Sequence, residues 1–178
     1  MDELEVLHDV AARLEEAAIP YMVTGSMALN YCAEPRVTRD IDLVLDVRGD
    51  EVPQLVSTFR PEYYVPRDAV EKAVQQRSMF HLIHRASILK IDFVLRKRTR
   101  YREVEFNRRQ RVQLGPAEVS IVCKEDLIIS KIAWVSDTRS DVQNCDVRNP
   151  MATGCDEEYL DHWLGELDLY PFTKDWPG

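Results

Sequence analysis

The chain has 178 residues, of which 45% are hydrophobic and 30% are charged, and its formal net charge is −8. This composition is typical of a globular protein rather than a disordered one, and the length fits one domain with room for a small second lobe. No apolar run reaches the ~18 residues that a membrane-spanning helix needs, and the acidic N-terminus lacks a hydrophobic signal core, so we expect a cytoplasmic protein without a membrane partner.

Cysteine usage favours free thiols over disulfides. The four cysteines are Cys32, Cys123, Cys145 and Cys155, and no two of them form a CxxC pair. A chain of this length does not need disulfides to hold its core. A zinc site is the less favoured alternative, because His81 and His84 lie in a strand-like segment far in sequence from most of the cysteines.

Helix-like and strand-like segments alternate in the first part of the chain. Residues 3–18 are predicted to form an amphipathic helix, because apolar residues recur there at intervals of three and four. The next segments predict a strand at 21–24, a short helix at 26–33, a loop at 34–36 and a strand at 40–47.

The rest of the chain mixes both kinds of element. The pattern predicts helices at 51–59, 68–77, 125–135 and 156–167, strands at 79–84, 87–95, 109–114 and 117–122, and an irregular tail at 171–178. This order suits an α/β or α+β domain with a mixed β-sheet flanked by helices. We expect a core at residues 1–123 and a C-terminal helical segment at 124–178 packed on it as one compact unit.

Basic side chains are concentrated in one part of the chain. Residues 96–123 contain 8 basic and 3 acidic side chains, whereas the sequences before and after have an acidic excess. All eight basic residues lie between residues 96 and 111, a stretch called the basic segment below. Composition favours a solvated loop or an edge strand protected by charge, and the alternative is a contact surface for phosphates.

Two acidic residues share one face of the strand predicted at 40–47. Side chains at i and i+2 of a strand point the same way, so Asp40 and Asp42 project together while Ile41 and Leu43 face the core. Two adjacent carboxylates repel each other unless a cation binds or one of them keeps a proton. Oxygen ligands suit magnesium, which binds one or two carboxylates together with substrate phosphates. The alternative is a solvated strand face.

A glycine-serine pair precedes the acids by thirteen residues. Gly25 and Ser26 lie where a predicted strand turns into a predicted helix. Glycine lets the backbone approach a ligand closely, and the free N–H groups of a helix start favour phosphate. Each feature is common on its own, but together they predict a phosphate cradle beside a metal-binding acid pair.

Gly25-Ser26 followed by Asp40-Ile41-Asp42-Leu43 resembles the signature of the nucleotidyltransferase superfamily, whose members have a polymerase beta-like core. In that superfamily a third carboxylate lies on a later strand, and Asp92, within Ile91-Asp92-Phe93-Val94, matches it. The resemblance implies that Asp40, Asp42 and Asp92 are catalytic and bind metal, with two magnesium ions when NTP is bound.

A second stretch, Lys124 to Trp134 followed by Gln143, Asp146 and Val147, is similar to the C-terminal motif of AbiEii-type nucleotidyltransferases. That group includes abortive-infection and toxin–antitoxin proteins, so the resemblance implies a toxin-like role and a cognate antitoxin as a partner. Arg139 matches the arginine-bearing segment of the motif. Cys145 stands where an arginine is expected, which leaves the roles of Asp141 and Asp146 open.

The superfamily implies that Gly25, Ser26 and Lys131 bind the nucleotide. Thr38 and Arg39 flank the acid pair and are further candidates for nucleotide binding, and the alternative is that they only shape the loop. Lys131 would neutralise phosphate charge, and the alternative is that its stem is buried while its ammonium reaches solvent. Asp92 would complete a metal site and accept a proton from the attacking hydroxyl, and the alternative is a solvated strand residue. Trp134, in an apolar helix, is expected in the core rather than stacked on a base.

These residues predict transfer of a nucleoside monophosphate from an NTP to an acceptor hydroxyl. The acceptor is either RNA, such as a tRNA end, or a protein or small molecule. The basic segment would attract RNA, whereas the net acidity of the chain argues against extensive RNA wrapping. The alternative function is a non-catalytic module of the same fold that binds a nucleotide or a partner protein.

Overall fold

The computed structural model describes residues 1–32, 40–138 and 154–173. Seven α-helices and seven β-strands lie within these ranges. In chain order they are α1 (Glu3–Glu16), β1 (Tyr21–Thr24), α2 (Gly25–Cys32), β2 (Ile41–Leu45), α3 (Val52–Phe59), β3 (Tyr63–Tyr64), α4 (Arg67–Gln76), β4 (Met79–His84), β5 (Lys90–Leu95), α5 (Arg100–Asn107), β6 (Gln110–Leu114), β7 (Ala117–Ile121), α6 (Lys124–Thr138) and α7 (Glu157–Glu166).

All seven strands form one mixed sheet in the order β3-β4-β5-β2-β1-β7-β6. β2 runs parallel to β5, and β1 runs parallel to β7. The other neighbours are antiparallel. The predicted mixed sheet with flanking helices is therefore confirmed, and β2 and β5 lie side by side in its middle.

The main hydrophobic core covers one face of the central strands. Along β2 and β5 every second side chain is buried, beginning with Ile41 and Ile91, and the same alternation buries Phe80 and Leu82 of β4. The buried residues of α1, α3 and α4 join these strand residues in one continuous cluster. The alternate residues of β2, β4 and β5 point to the other face, where they are half-buried or exposed.

The helix α5 corrects the prediction for the middle of the basic segment, whereas Arg111, at its end, lies in β6, an edge strand of the sheet as expected. We expected a loop or an edge strand there, but Arg100–Asn107 is helical, and the side chain of Thr99 accepts a hydrogen bond from the Arg102 amide at the start of the helix. Tyr101, Glu105 and Phe106 are buried, a spacing that places them on one side of a helix. The high charge of the segment hid this pattern.

A second, smaller core joins α5 to the C-terminal helices. It contains Tyr101 together with Ile128, Ile129 and Ile132 of α6 and Leu160, Trp163 and Leu164 of α7. Trp134, expected in a core, is 55% exposed. The predicted boundary between residues 123 and 124 stays a prediction, although α5 belongs by packing to the second core.

None of the helices in the described ranges is long and apolar enough to cross a membrane. The cysteines there, Cys32, Cys123 and Cys155, are free thiols, as expected, and Cys145 lies outside the described residues.

Candidate active site

The turn between β1 and α2 requires glycine. Gly25 has φ +62°, a conformation that residues with a side chain rarely adopt. A Cβ atom at this position would lie 2.8 Å from Cγ and 2.9 Å from Cβ of Asp42, and it would overlap the carboxylate itself. The backbone of the turn therefore lies directly against the Asp42 side chain.

Four side chains form a row across the open face of the sheet. Thr24 of β1 is in register with Asp42 of β2, Asp42 with Asp92 of β5, and Asp92 with His81 of β4. Neighbouring strands lie about 4.8 Å apart, so the carboxylates of Asp42 and Asp92 are side by side. The structure thus brings together two acids that are fifty residues apart in the sequence. Asp40 is exposed and directly precedes β2.

The environment of Asp42 disfavours its negative charge. Burial, together with the negative charges of Asp92 and Asp40, raises the pKa of this carboxyl group from 3.8 to about 6. Lys131 and Lys90 act in the opposite direction. Lys131, on α6, therefore lies close enough to influence the pKa of Asp42, and its role in nucleotide binding stays a prediction.

The carboxylate of Asp92 makes hydrogen-bond contacts with two residues that the sequence did not indicate as site residues. Its Oδ1 lies 2.5 Å from Nδ1 of His81, and its Oδ2 accepts a hydrogen bond from Nζ of Lys90 at 2.9 Å. Lys90 lies two positions before Asp92 on the same strand and so shares its face. That spacing was a usable signal for Lys90. His81 could be assigned only from the pairing of β4 with β5.

The acids fit a magnesium site by their donor chemistry. Asp42 and Asp92 offer adjacent carboxylate oxygens, and magnesium uses one or two carboxylates with phosphates and water as its other ligands. A bound cation would also remove the electrostatic cost that raises the Asp42 pKa. Within the described residues, no three His, Cys, Asp or Glu side chains form a group that could hold a metal ion by themselves.

Several predicted site residues are outside the described part of the chain. Thr38 and Arg39, predicted to bind nucleotide, fall in the gap between residues 32 and 40. The later part of the AbiEii-like stretch, with Arg139, Gln143, Asp146 and Val147, falls in the gap between residues 138 and 154, whereas Lys124 to Trp134 lie in α6. Ser26 lies in the first turn of α2, next to Gly25.

Most arginines of the basic segment are engaged with carboxylates of the same chain. The pairs are Arg96–Asp46 at 2.7 Å, Arg100–Glu166 at 3.6 Å, Arg102–Glu105 at 2.8 Å, Arg108–Asp126 at 3.0 Å and Arg111–Glu118 at 3.0 Å. Glu105 and Asp126 are buried, so these two pairs belong to the packing of α5 against α6. Lys97 and Arg98 are exposed.

The chain is similar in structure to three solved proteins. The antibiotic-resistance factor ANT(2'')-Ia matches over 94% of this chain and 93% of its own, with a TM-score of 0.60 and 11% sequence identity. An antigenic nucleotidyltransferase-like protein from Paracoccidioides brasiliensis matches over 96% and 90%, with a TM-score of 0.58 and 16% identity. The lincomycin-bound lincosamide antibiotic adenylyltransferase LnuA matches over 84% and 94%, with a TM-score of 0.54 and 13% identity.

These similarities establish that the chain has the nucleotidyltransferase fold, as its glycine-serine and acidic motifs predicted. No protein-family model matches the sequence, and a comparison with curated proteins gives no significant match. The narrower likeness to AbiEii-type proteins stays an expectation.

Proposed function

We propose that this protein is a magnesium-dependent nucleotidyltransferase that moves a nucleoside monophosphate from an NTP to an acceptor hydroxyl group and releases pyrophosphate. The observation that carries the proposal is the parallel register of Asp42 and Asp92, with the Gly25 turn packed against Asp42. A phosphate-binding turn and two adjacent carboxylates are the parts that metal-assisted phosphoryl transfer requires.

The phosphates of the nucleotide would bind at the start of α2. The turn at Gly25 leaves no side chain between the backbone and a ligand, and the first N–H groups of the helix favour an anion. Lys131 is close enough to Asp42 to influence its pKa and would offset phosphate charge on the same side. Thr38 and Arg39 complete the proposed nucleotide-binding set.

Asp40, Asp42 and Asp92 would hold the magnesium ions. When bound, magnesium neutralises charge on the phosphates and lowers the pKa of the attacking hydroxyl group. Asp92 would accept the proton of that hydroxyl, and the contact from Nδ1 of His81 restricts the orientation of its carboxylate. His81 is then a positioning residue for Asp92.

The surface beside Asp92 favours a small-molecule acceptor over RNA. Along the exposed face of β4, Met79 and Ile83 flank His81 and are 44% and 37% exposed. Such a surface suits a ligand with an apolar part, whereas RNA needs unpaired basic groups. LnuA, a structural neighbour, is a lincosamide antibiotic adenylyltransferase, and a small acceptor of this kind is consistent with the proposal. A toxin-like role with RNA or protein as the acceptor, as the AbiEii resemblance implies, is the competing possibility.

The direct test is incubation of the protein with each labelled NTP, magnesium and three acceptor pools: total RNA, total protein and a small-molecule extract. We expect label in the small-molecule pool with wild-type protein and none with Asp42→Asn. If Asp42→Asn labelled every pool to the same extent as wild-type protein does, the proposal would be excluded.

A non-catalytic module is the second candidate, because both oxygens of Asp92 are already bonded to His81 and Lys90 within the chain. The two functions differ in their metal requirement. Calorimetry that finds tight nucleotide binding unaffected by a chelator favours the module, whereas nucleotide binding that requires magnesium favours the enzyme.

A further inference from the structure

Lys90 lies at the start of β5 and reaches the acids from the open face of the sheet. Its Nζ donates a hydrogen bond to Oδ2 of Asp92 at 2.9 Å, and its side chain is 51% exposed. The other oxygen of Asp92 contacts His81. Asp92 thus has one partner from its own strand and one from β4.

The ammonium group of Lys90 interacts with more than one carboxylate. The hydrogen bond to Asp92 raises the pKa of Lys90, and the charges of Asp92, Asp40 and Asp42 act in the same direction. Conversely, the charge of Lys90 offsets part of the rise in the pKa of Asp42 that burial and the neighbouring carboxylates cause. One lysine therefore supplies positive charge to the same three acids that we assign to magnesium.

The position of Lys90 also makes it easy to displace. An ion pair with one partner half-exposed contributes little to stability, because water screens it and the long side chain loses rotamer freedom. The four-carbon stem is flexible, so Nζ can leave Asp92 without a change in the strand. His81, by contrast, is a short side chain whose ring position is set by the pairing of β4 with β5.

We propose that Lys90 is an internal counter-cation that occupies Asp92 in the metal-free protein and gives up this carboxylate when a divalent cation binds. The inference rests on the proposed function, since it assumes that Asp42 and Asp92 bind metal. In this proposal Lys90 sets the affinity of the site for a divalent cation, because the lysine and the metal compete for the same negative charge.

Competition predicts that removal of the positive charge strengthens metal binding. In Lys90→Met the stem is kept and the ammonium is lost, so the acids attract a divalent cation more strongly, by about threefold to tenfold for one charge a few ångströms away in a partly solvated site. Lys90→Arg keeps the charge and bonds to carboxylates more tightly than lysine does. Its metal affinity is expected to equal that of wild type or fall below it.

The experiment is a titration of the full chain with Mn²⁺ in the absence of nucleotide, followed by the electron paramagnetic resonance signal of free Mn²⁺. Lys72→Met is the matched control. It removes the same charge from an exposed position on α4, whose buried residues belong to the core on the opposite face of the sheet. Asp42→Asn reports separately on the metal site, and circular dichroism checks that each variant is folded.

Tighter Mn²⁺ binding by Lys90→Met, with Lys72→Met and Lys90→Arg no tighter than wild type, supports the inference. Equal Mn²⁺ affinities of Lys90→Met and Lys72→Met overturn the inference. Tighter Mn²⁺ binding by Lys90→Arg than by wild type also overturns it, and this comparison can be made even if Lys90→Met does not fold. The Lys90 inference can fail while the proposed function still stands. This is the case if Asp42→Asn is the only variant that loses Mn²⁺ binding. Wild-type protein that binds no Mn²⁺ overturns both.

Discussion

Gly25 and Asp42 pack so closely that the turn has no space for a side chain at residue 25. A Cβ atom there would lie 2.8 Å from Cγ of Asp42, and φ at Gly25 is +62°. The close contact arises because β1 and β2 are antiparallel neighbours in which Thr24, the residue before the turn, is paired with Asp42. The same contact brings the start of α2 to the acid pair, which is the arrangement that a phosphate bound there requires.

Replacement of Gly25 by alanine should therefore destabilise the protein. We expect a loss of about 2 kcal/mol or more in the free energy of unfolding, from the left-handed backbone and the overlap with Asp42 combined. Denaturant titration measures the loss. Gly49→Ala is the control, because a Cβ there meets nothing within 4 Å, and its effect should stay within about 0.5 kcal/mol. Equal stabilities of the two variants would contradict the packing described.

Asp42→Asn should stabilise the metal-free protein, and the gain should grow with pH. The folded-state pKa of Asp42 is about 6, against 3.8 for the ordinary group. The folded protein therefore holds a proton in this window that the unfolded chain releases, so its stability falls as the pH rises from 3.8 to about 6 and then levels off. The asparagine variant lacks this decline.

The measurement is the difference in unfolding free energy between Asp42→Asn and wild type, in chelator, at pH 4 and pH 7.5. We expect this difference to increase by about 1 to 3 kcal/mol between the two pH values. Magnesium should restore stability to wild type at the higher pH and leave the variant unchanged. A difference that stays constant with pH would mean that Asp42 carries no unfavourable charge.

Much of the central sheet could be predicted from local patterns. The alternation of apolar residues in Ile41–Leu45 identified a strand with one buried face, and the same spacing placed Asp42 on the other face. The strands predicted at 109–114 and 117–122 lie on either side of Gly115 and Pro116, and the structure pairs them as the hairpin of β6 and β7. These features depend on residues that are close in sequence, and the predicted strand at 40–47 was only slightly too long.

The parts that escaped prediction depend on contacts between distant residues. His81 contacts Asp92 only because β4 pairs with β5 in one particular register, and no local pattern specifies that register. The helix α5 was missed because its arginines were treated as solvated charge. Arg102 and Arg108 instead find buried carboxylates on α5 and α6, in Glu105 and Asp126.

The ion pair of Arg102 with Glu105 should be essential for stability. Glu105 is buried, and it also accepts a hydrogen bond from the hydroxyl group of Ser130. Arg102→Met would leave a buried carboxylate without its cation, which costs about 3 to 5 kcal/mol. Thermal and denaturant unfolding measure this loss.

Arg100→Met on the same helix is the control for that variant. Its pair with Glu166 spans 3.6 Å, and the side chains are 75% and 50% exposed, so its removal should cost less than about 1 kcal/mol. If both variants were equally stable, the Arg102 pair would be no more than a surface contact.

The remaining exposed charges of the basic segment provide the test for an RNA acceptor. Lys97 and Arg98 are exposed and follow β5, the strand that carries Asp92. The double variant Lys97→Glu and Arg98→Glu reverses both charges and leaves the buried ion pair of Arg102 intact. Replacement of Arg102 would also destabilise the protein, so that a binding defect could not be told apart from unfolding. With a small-molecule acceptor, as proposed, we expect the labelling rate and its dependence on salt to equal those of wild type.

An RNA acceptor would behave differently, because every RNA phosphate that the variant no longer neutralises removes about one unit from the slope of log affinity against log salt concentration. The assay is RNA binding and RNA labelling at several salt concentrations, with nucleotide binding measured in parallel to show that the phosphate site is intact. Weaker RNA labelling with a flatter salt dependence, at unchanged nucleotide affinity, would favour RNA as the acceptor and contradict the preference for a small molecule that the apolar surface of Met79 and Ile83 supports.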